Sequence, residues 1–161
     1  MIIQDIVLAP VLETDRTIYL NSFTMLSEDD VEMAHNIILQ NKISPTYLDF
    51  LHKNDLIDLF SEKQISNFEQ QRKRYQLHSL EIIKELNFLD KIFKEKKLSP
   101  LYLKGVAIMN DYDDLSLRPL TDIDIFFKGN EFFQAYQILT ELNYFELRSE
   151  KKVRNKKNYK N

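Results

Sequence analysis

Apolar residues recur at helical spacing through most of the first hundred positions. Between Ser27 and Phe60 they fall three or four positions apart, with an interruption at Ser44-Pro45. Ser27 followed by Asp30 resembles a helix N-cap with an acidic residue at the third helical position. We therefore predict one helix after Ser27 and a second that begins at Pro45, because proline suits the first turn of a helix.

The longest periodic stretch runs from Ser61 to Lys97. Its apolar positions keep close to the period of an α-helix, and this pattern predicts one long helix. The segment from Met1 to Leu20 alternates only weakly between apolar and polar residues. That pattern favours a strand or an irregular arm.

The pattern changes after Ser99-Pro100, where short apolar runs bounded by turn residues alternate with helical spacing. The expected order is a strand at 101–103, a helical turn at 107–109, an acidic loop at 111–119, a strand at 121–127, a helix at 131–142 and a strand at 144–147. The predicted fold class is therefore α+β, with a helical N-terminal half followed by a β-α-β-α-β core and a mixed sheet.

Composition excludes several classes of protein. The 161 residues are 43% hydrophobic and 29% charged, which favours a folded chain over a disordered or collagen-like one. No run approaches the roughly eighteen apolar residues of a membrane span. The N-terminus lacks the basic residues of a signal peptide, so a cytoplasmic location is expected. Because the chain has no cysteine, disulfides, thiolate zinc sites and cysteine nucleophiles are excluded.

The formal net charge of −3 is unevenly distributed. Residues 1–147 hold 15 Lys and Arg against 24 Asp and Glu, whereas residues 148–161 carry a balance of +6. A basic terminus can attract phosphate groups, but a solvated, flexible tail is the favoured interpretation. We predict no specific nucleic-acid binding.

Asp122 and Asp124 form the strongest chemical pattern. Residues two apart on a strand project from the same face, about 7 Å apart along the strand. Two carboxylates at that spacing repel each other without a cation and suit Mg²⁺, which takes oxygen ligands and bridges to substrate phosphates. For the pair alone, the favoured alternative is a solvated strand face, with Ile123, Ile125 and Phe127 pointing inward.

Gly105 is one of only two glycines, where average usage would give about eleven. It lies where a strand turns into a helix, and a missing side chain there lets backbone approach a phosphate. For Gly105 alone, a tight packing turn is the favoured interpretation. The acidic loop with Asp111, Asp113 and Asp114 lacks the glycine and glutamate of a calcium site, so we expect it to be solvated. The three histidines lack metal-ligand spacing and are expected on the surface or at helix ends.

These pieces occur in a definite order, which is Leu103-Lys104-Gly105, Arg118, Asp122-Ile123-Asp124, an amphipathic helix and Leu142-Asn143-Tyr144. Over about residues 70 to 147 this order resembles the uncharacterised nucleotidyltransferase family of the DNA polymerase β-like superfamily. The resemblance implies a partial nucleotidyltransferase core at 99–148, a helical segment at 1–98 that packs on it, and a basic tail at 149–161.

The resemblance also implies roles for five residues. Asp122 and Asp124 would be the metal-binding carboxylates of the catalytic centre. Gly105 would mark the nucleotide-facing turn, and Lys104 and Arg118 would be active-site cations. The cofactor would be Mg²⁺ or Mn²⁺, and a nucleotidyl group would pass from a nucleoside triphosphate to an unknown acceptor, chemistry that depends on positioning and charge neutralisation. The alternatives are an ion pair between Arg118 and Asp124, and a simple strand-end role for Lys104.

The sequence departs from the family pattern at several points. The superfamily completes its metal site with a third carboxylate on a later strand, and no such segment follows Leu147. Glu146 has the right local setting but comes too soon after the helix for this role. Val106-Ala107 stand where better-known relatives have Gly-Ser, and Asn143 stands where glycine is common. The chain therefore looks truncated.

Two other functions remain open. One is a non-catalytic remnant or antitoxin-like binding module, which the missing third carboxylate favours. The other is an interaction module formed by the helical half. An incomplete sheet would leave an unpaired edge, which favours self-association.

Overall fold

The computed structural model describes residues 2–144, which form α-helices and one antiparallel pair of strands. The helices are α1 (Ile2–Leu8), α2 (Arg16–Phe23), α3 (Glu28–Gln40), α4 (Ser44–Lys53), α5 (Glu62–Glu95), α6 (Lys104–Ala107) and α7 (Glu131–Glu141). The strands are β1 (Leu101–Leu103) and β2 (Asp124–Phe126), and short 3-10 turns occur at Ile57–Leu59 and Met109–Asp111. The predicted α+β class with a helical first half is confirmed. Within residues 2–144, no helix combines the length and apolar character needed to cross a membrane.

Two helices, α1 and α2, joined by a turn at residues 9–15, take the place of the predicted strand or irregular arm over the first twenty residues, so that prediction is wrong. The Asp15 carboxylate accepts a hydrogen bond from the N–H of Thr17 at 2.8 Å and caps α2. Ile6 on α1 and Tyr19 on α2 are almost completely buried, and α1 contacts both α2 and α3. Tertiary packing therefore stabilises two short helices whose own sequence periodicity is weak.

The two helices predicted to begin after Ser27 and after Ser61 are confirmed. Each has a capping box at its N-terminus. The hydroxyl of Ser27 accepts from the N–H of Asp30, whose carboxylate accepts from the N–H of Ser27. Ser61 and Gln64 make the same reciprocal pair at the start of α5. α4 begins at Ser44, one residue before the predicted start, and α5 is the single long helix that the periodicity predicts.

The first five helices enclose an aromatic core with a hydrogen-bonded centre. The hydroxyls of Tyr19 and Tyr47 lie 2.7 Å apart, and the Tyr47 hydroxyl donates to the carbonyl oxygen of Ile6 at 3.0 Å. Since the Tyr47 proton is engaged there, Tyr19 donates to Tyr47. Burial raises the pKa of both tyrosines, so both stay protonated. This chain of hydrogen bonds joins α1, α2 and α4 inside the core.

His35 departs from the expected surface position. It is only 3% exposed between α3 and α5, and its ring centroid lies 5.0 Å from that of Phe68. Burial lowers the pKa of His35, which favours the neutral ring. His52 and His78 are exposed, as predicted.

A second apolar cluster forms where the sheet and α7 pack on the C-terminal part of α5. Its buried members are Leu89, Phe93, Leu98, Phe127 and Ala135. The rings of Phe93 and Phe127 meet edge to face with centroids 5.0 Å apart. Tyr102 on β1 donates to the Asp90 carboxylate on α5 at 2.9 Å, which fixes the sheet to the helix. The predicted inward direction of Ile123, Ile125 and Phe127 is confirmed, since all three contribute to this cluster.

The hydrogen-bonded ladder between β1 and β2 is shorter than the sequence predicts. Its paired residues are Leu101 with Phe126, Tyr102 with Ile125, and Leu103 with Asp124. The predicted strand at 121–127 is reduced to β2 because β1 offers only three residues of backbone before the chain turns into α6. That helical turn starts at Lys104, three residues earlier than predicted.

The predicted mixed sheet requires the third strand at 144–147, and nearly all of that strand, with Glu146, lies outside the described residues. The basic tail at 149–161 lies outside them as well.

Replacing Tyr47 with phenylalanine tests the hydrogen-bonded centre of the core. Y47F keeps the ring but leaves the Tyr19 hydroxyl and the Ile6 carbonyl without their buried partner. We expect the free energy of unfolding to fall by about 2 kcal/mol, measured by urea denaturation. The control is Y136F, which removes a hydroxyl from a residue that is 47% exposed. Equal stability of Y47F and Y136F would contradict this account.

Candidate functional site

Four of the five predicted site residues line one cleft beside the end of the sheet. The cleft has a volume of about 280 Å³. Lys104 and Gly105, at the start of α6, form one wall, and the segment 118–122, which includes Arg118 and Asp122, forms the other. The fifth residue, Asp124, adjoins the cleft through its contact with Lys104.

The turn between β1 and α6 differs from the expected one. Lys104 adopts a left-handed φ of 53°, a conformation that residues other than glycine seldom adopt. Gly105 instead has a packing role, because a Cβ there would lie 3.1 Å from Cδ2 of Leu120. Leu120 is 2% exposed and has little room to move. The absence of a side chain at Gly105 thus lets the segment 118–122 approach α6, and a nucleotide-facing role for Gly105 stays a prediction.

Lys104 and Asp124 form an ion pair that engages both carboxylate oxygens. The Nζ atom of Lys104 lies 3.0 Å from Oδ1 and 3.0 Å from Oδ2 of Asp124. The hydrogen bond to Asp124 and its charge raise the pKa of Lys104, and the charge of Asp122 adds to this effect. Lys104 therefore stays protonated and interacts with both predicted metal-binding carboxylates.

Asp122 and Arg118 occupy the outer part of the cleft. Asp122 lies two residues before β2 and is exposed, and it accepts a hydrogen bond from the Thr121 hydroxyl at 3.2 Å. The expectation that Asp122 and Asp124 share one regular strand face is wrong, because the ladder begins only at Asp124. The alternative ion pair between Arg118 and Asp124 does not form, since Lys104 takes that carboxylate and Arg118 is exposed.

The donor set at the cleft fits a magnesium ion that shares its coordination with a substrate. Within residues 2–144, no three His, Asp or Glu side chains are grouped so that they could hold a metal ion. Mg²⁺ is commonly held by one or two carboxylates, with water and substrate phosphates as the other ligands. Asp122 and Asp124 supply such oxygens, and the ammonium of Lys104 already pairs with both oxygens of Asp124.

The loop that leads into the cleft is tied to the helices by Asp114, which sequence analysis placed in a solvated acidic loop. Arg72 on α5 donates to Asp114 through Nε at 3.0 Å and through a second guanidinium nitrogen, and to Asp49 on α4 at 3.1 Å. Gln76 and both the N–H and hydroxyl of Ser116 also donate to Asp114. The prediction that the acidic loop is solvated is therefore wrong for Asp114.

The electrostatics of Asp114 follow from these donors. Burial alone would raise the pKa of this carboxyl, but the hydrogen bonds from Ser116, Arg72 and Gln76 outweigh burial and hold the pKa well below its usual range. A second tie comes from Ser79 on α5, whose hydroxyl accepts from the N–H of Leu120 at 3.2 Å and lies 3.3 Å from the carbonyl oxygen of Leu115. α5 therefore positions the segment that carries Arg118 and Asp122.

Replacing Asp114 with asparagine tests this tie. At neutral pH, we expect D114N to lower the free energy of unfolding by about 2 kcal/mol, because charge-assisted hydrogen bonds are lost. The folded-state pKa of Asp114 is depressed, so its contribution is complete above the unfolded pKa of about 4 and is lost as the pH falls towards the folded value. The difference from the unmodified protein should therefore shrink below about pH 4 in urea titrations.

The matched control is D113N, which removes a neighbouring exposed carboxylate. A stability difference for D114N that stays constant from neutral to acidic pH would contradict the tie.

A double-mutant cycle tests the close approach at Gly105. G105A brings a Cβ against Leu120 but also raises helix propensity, so the single variant mixes two effects. L120V removes the Cδ2 atom that the new Cβ would meet. We expect G105A to be less destabilising in the L120V background by about 1 kcal/mol in thermal unfolding. An equal effect of G105A in both backgrounds would show that the two residues do not constrain each other.

Comparison with known protein families gives a match that covers most of the chain. The family model described as "Uncharacterised nucleotidyltransferase" matches residues 27–161. No curated protein and no solved structure matches the chain significantly. The family match begins well before residue 70, where the sequence resemblance starts, so it includes α3 and α4 as well as the cleft. The chain belongs to the uncharacterised nucleotidyltransferase family.

Proposed function

We propose that the protein transfers a nucleotidyl group from a nucleoside triphosphate to an acceptor, with Mg²⁺ held by Asp122 and Asp124. The observation that carries this proposal is the cleft, which places two carboxylates beside the cationic side chains of Lys104 and Arg118. The two carboxylates suit a divalent cation, and the two positively charged side chains suit a triphosphate. Membership of a nucleotidyltransferase family supports the same chemistry.

The residues of the cleft would act by positioning and by neutralising charge. In nucleotidyl transfer, an acceptor oxygen or nitrogen releases its proton to solvent and forms a bond to the α-phosphorus, while the bond to the bridging oxygen breaks and pyrophosphate leaves with that electron pair. Bound Mg²⁺ would supply positive charge to the phosphate oxygens. Arg118, whose guanidinium is exposed at the cleft, would bind phosphate oxygens in a bidentate manner. Asp122 and Asp124 would fix the metal ion against the triphosphate.

The second candidate is a nucleotide-binding module without catalysis. The observation that favours it is the Lys104–Asp124 ion pair, which gives Asp124 a counter-charge from the protein itself. In that case the basic side chains of the cleft would bind the triphosphate, and the carboxylates would have no metal ion to hold.

Thermal unfolding with nucleotides and metal separates the two candidates. A ligand that binds only the folded state stabilises it by about 2.7 kcal/mol at a hundredfold excess over its Kd. For a domain of this size, that is a rise of several degrees in Tm. We expect a nucleoside triphosphate to raise the Tm only with Mg²⁺ or Mn²⁺, and we expect D122N/D124N to abolish this rise.

The control is D111N/D113N, which removes two exposed carboxylates outside the cleft and should keep the rise. A rise that needs no metal and persists in D122N/D124N would support the binding module instead. A cooperatively unfolding protein that responds to no nucleoside triphosphate would contradict both candidates.

A further inference from the structure

Lys104 holds the position on Asp124 that a metal ion would need. Its ammonium is 3.0 Å from each of the two carboxylate oxygens, so it lies between them on their outer side. Direct coordination of Mg²⁺ requires an oxygen at about 2.0–2.1 Å. A metal ion that binds Asp124 in this way must displace the ammonium from at least one oxygen.

The backbone of Lys104 is fixed beside Asp124, whereas its side chain is not enclosed. The preceding residue, Leu103, pairs with Asp124 at the end of the ladder, which sets the distance between the two chains. The side chain of Lys104 is 70% exposed, against 30% for Asp124. The lysine can therefore move its charge away from Asp124 without disturbing the packed core.

The backbone conformation of Lys104 also differs in its place in the fold from that of other left-handed residues in the described chain. Five other non-glycine residues of the described chain have positive φ. Lys42, Asp55, Lys97 and Asn143 each directly follow the C-cap of a helix, where left-handed residues are common, and Glu13 lies in the turn between α1 and α2. Lys104 instead begins a helix, with φ of 53°. Strained backbone of this kind persists where surrounding structure determines it, and it is concentrated at functional sites.

The four charged side chains at the cleft are balanced in the absence of ligands. Asp122 and Asp124 carry two negative charges, and Lys104 and Arg118 carry two positive charges. A divalent cation alone would give this cleft a net positive charge. A triphosphate brings several negative charges with the metal and offers the Lys104 ammonium a stronger partner than one carboxylate.

We propose that Lys104 is an internal counter-cation that occupies Asp124 in the free protein and passes to the triphosphate when metal and nucleotide bind together. This inference rests on the proposed function. It makes Lys104 a residue that couples the two ligands: it weakens the binding of free metal and thereby favours the metal–nucleotide complex. The two ligands are thermodynamically linked. If the triphosphate raises the affinity for the metal ion by drawing the ammonium away from Asp124, the metal ion raises the affinity for the triphosphate by the same factor.

Titration of the full chain with Mn²⁺ alone tests the inference. Free Mn²⁺ is measured by electron paramagnetic resonance, without nucleotide, for the unmodified protein and for K104M. We expect K104M to bind Mn²⁺ about tenfold more tightly, because removing the ammonium leaves Asp124 open to the metal. K104R, which keeps the charge, should bind as weakly as the unmodified protein.

Two controls make the result specific. K128M removes an exposed lysine that follows β2 but lies outside the cleft, and it should leave the affinity for Mn²⁺ unchanged. Adding D122N/D124N to K104M should abolish the tight binding. Because Lys104 is mostly exposed, a cooperative melting curve for K104M is expected and verifies its folding.

The outcomes separate this inference from the proposed function. If K104M binds Mn²⁺ no more tightly than the unmodified protein, while the triphosphate still raises the Tm only with metal, the counter-cation role is overturned and the proposed function stands. If no variant binds Mn²⁺ and the Tm never depends on metal, the proposed function fails and the inference fails with it.

Discussion

The candidate site depends on the last residue pair of the ladder between β1 and β2. Leu103 pairs with Asp124, and the chain leaves the ladder one residue later through the left-handed Lys104. This geometry brings the ammonium of Lys104 within 3.0 Å of both oxygens of Asp124. The ladder is short because β1 has only three residues, and it is held to α5 by the apolar cluster around Phe93 and by the Tyr102–Asp90 hydrogen bond.

The long helix α5 connects that ladder to the rest of the protein. Its N-terminal part contributes Phe68 to the aromatic core, and its C-terminal part contributes Phe93 to the cluster beneath the sheet. Between them, Arg72 and Ser79 bind the loop that carries Arg118 and Asp122. One helix therefore positions both walls of the cleft.

The parts of the structure that depend on neighbouring residues could be predicted from the sequence. The capping box of Ser27 and Asp30 lies within one helical turn, and the inward direction of Ile123 and Ile125 follows from strand alternation. The fold class and the helix α5 are predictable for the same reason, because they depend on local periodicity. The helices α1 and α2 could not be predicted in this way, because α1 is stabilised by packing on α3 and α2 by packing on α1 rather than by a sequence pattern of their own.

The candidate site was likewise predictable only in part. The residues of the cleft were recognisable as a set because Lys104-Gly105, Arg118 and the acidic pair occur in a family-like order. The ion pair between Lys104 and Asp124 could not be predicted, because the backbone conformation of Lys104 depends on where the ladder ends. The partners of Asp114 were also out of reach of local patterns, because Arg72 lies 42 positions away in sequence.

We have proposed that Asp122 and Asp124 hold a metal ion against a triphosphate in this cleft. The most direct measurement is anomalous X-ray scattering from a crystal of the protein grown with Mn²⁺ and a non-hydrolysable nucleoside triphosphate. The account predicts an anomalous peak at metal–ligand distance from both carboxylates, with the Lys104 ammonium on a phosphate oxygen. A nucleotide bound in the cleft without a peak at Asp122 and Asp124, or with the metal at another site, would contradict it.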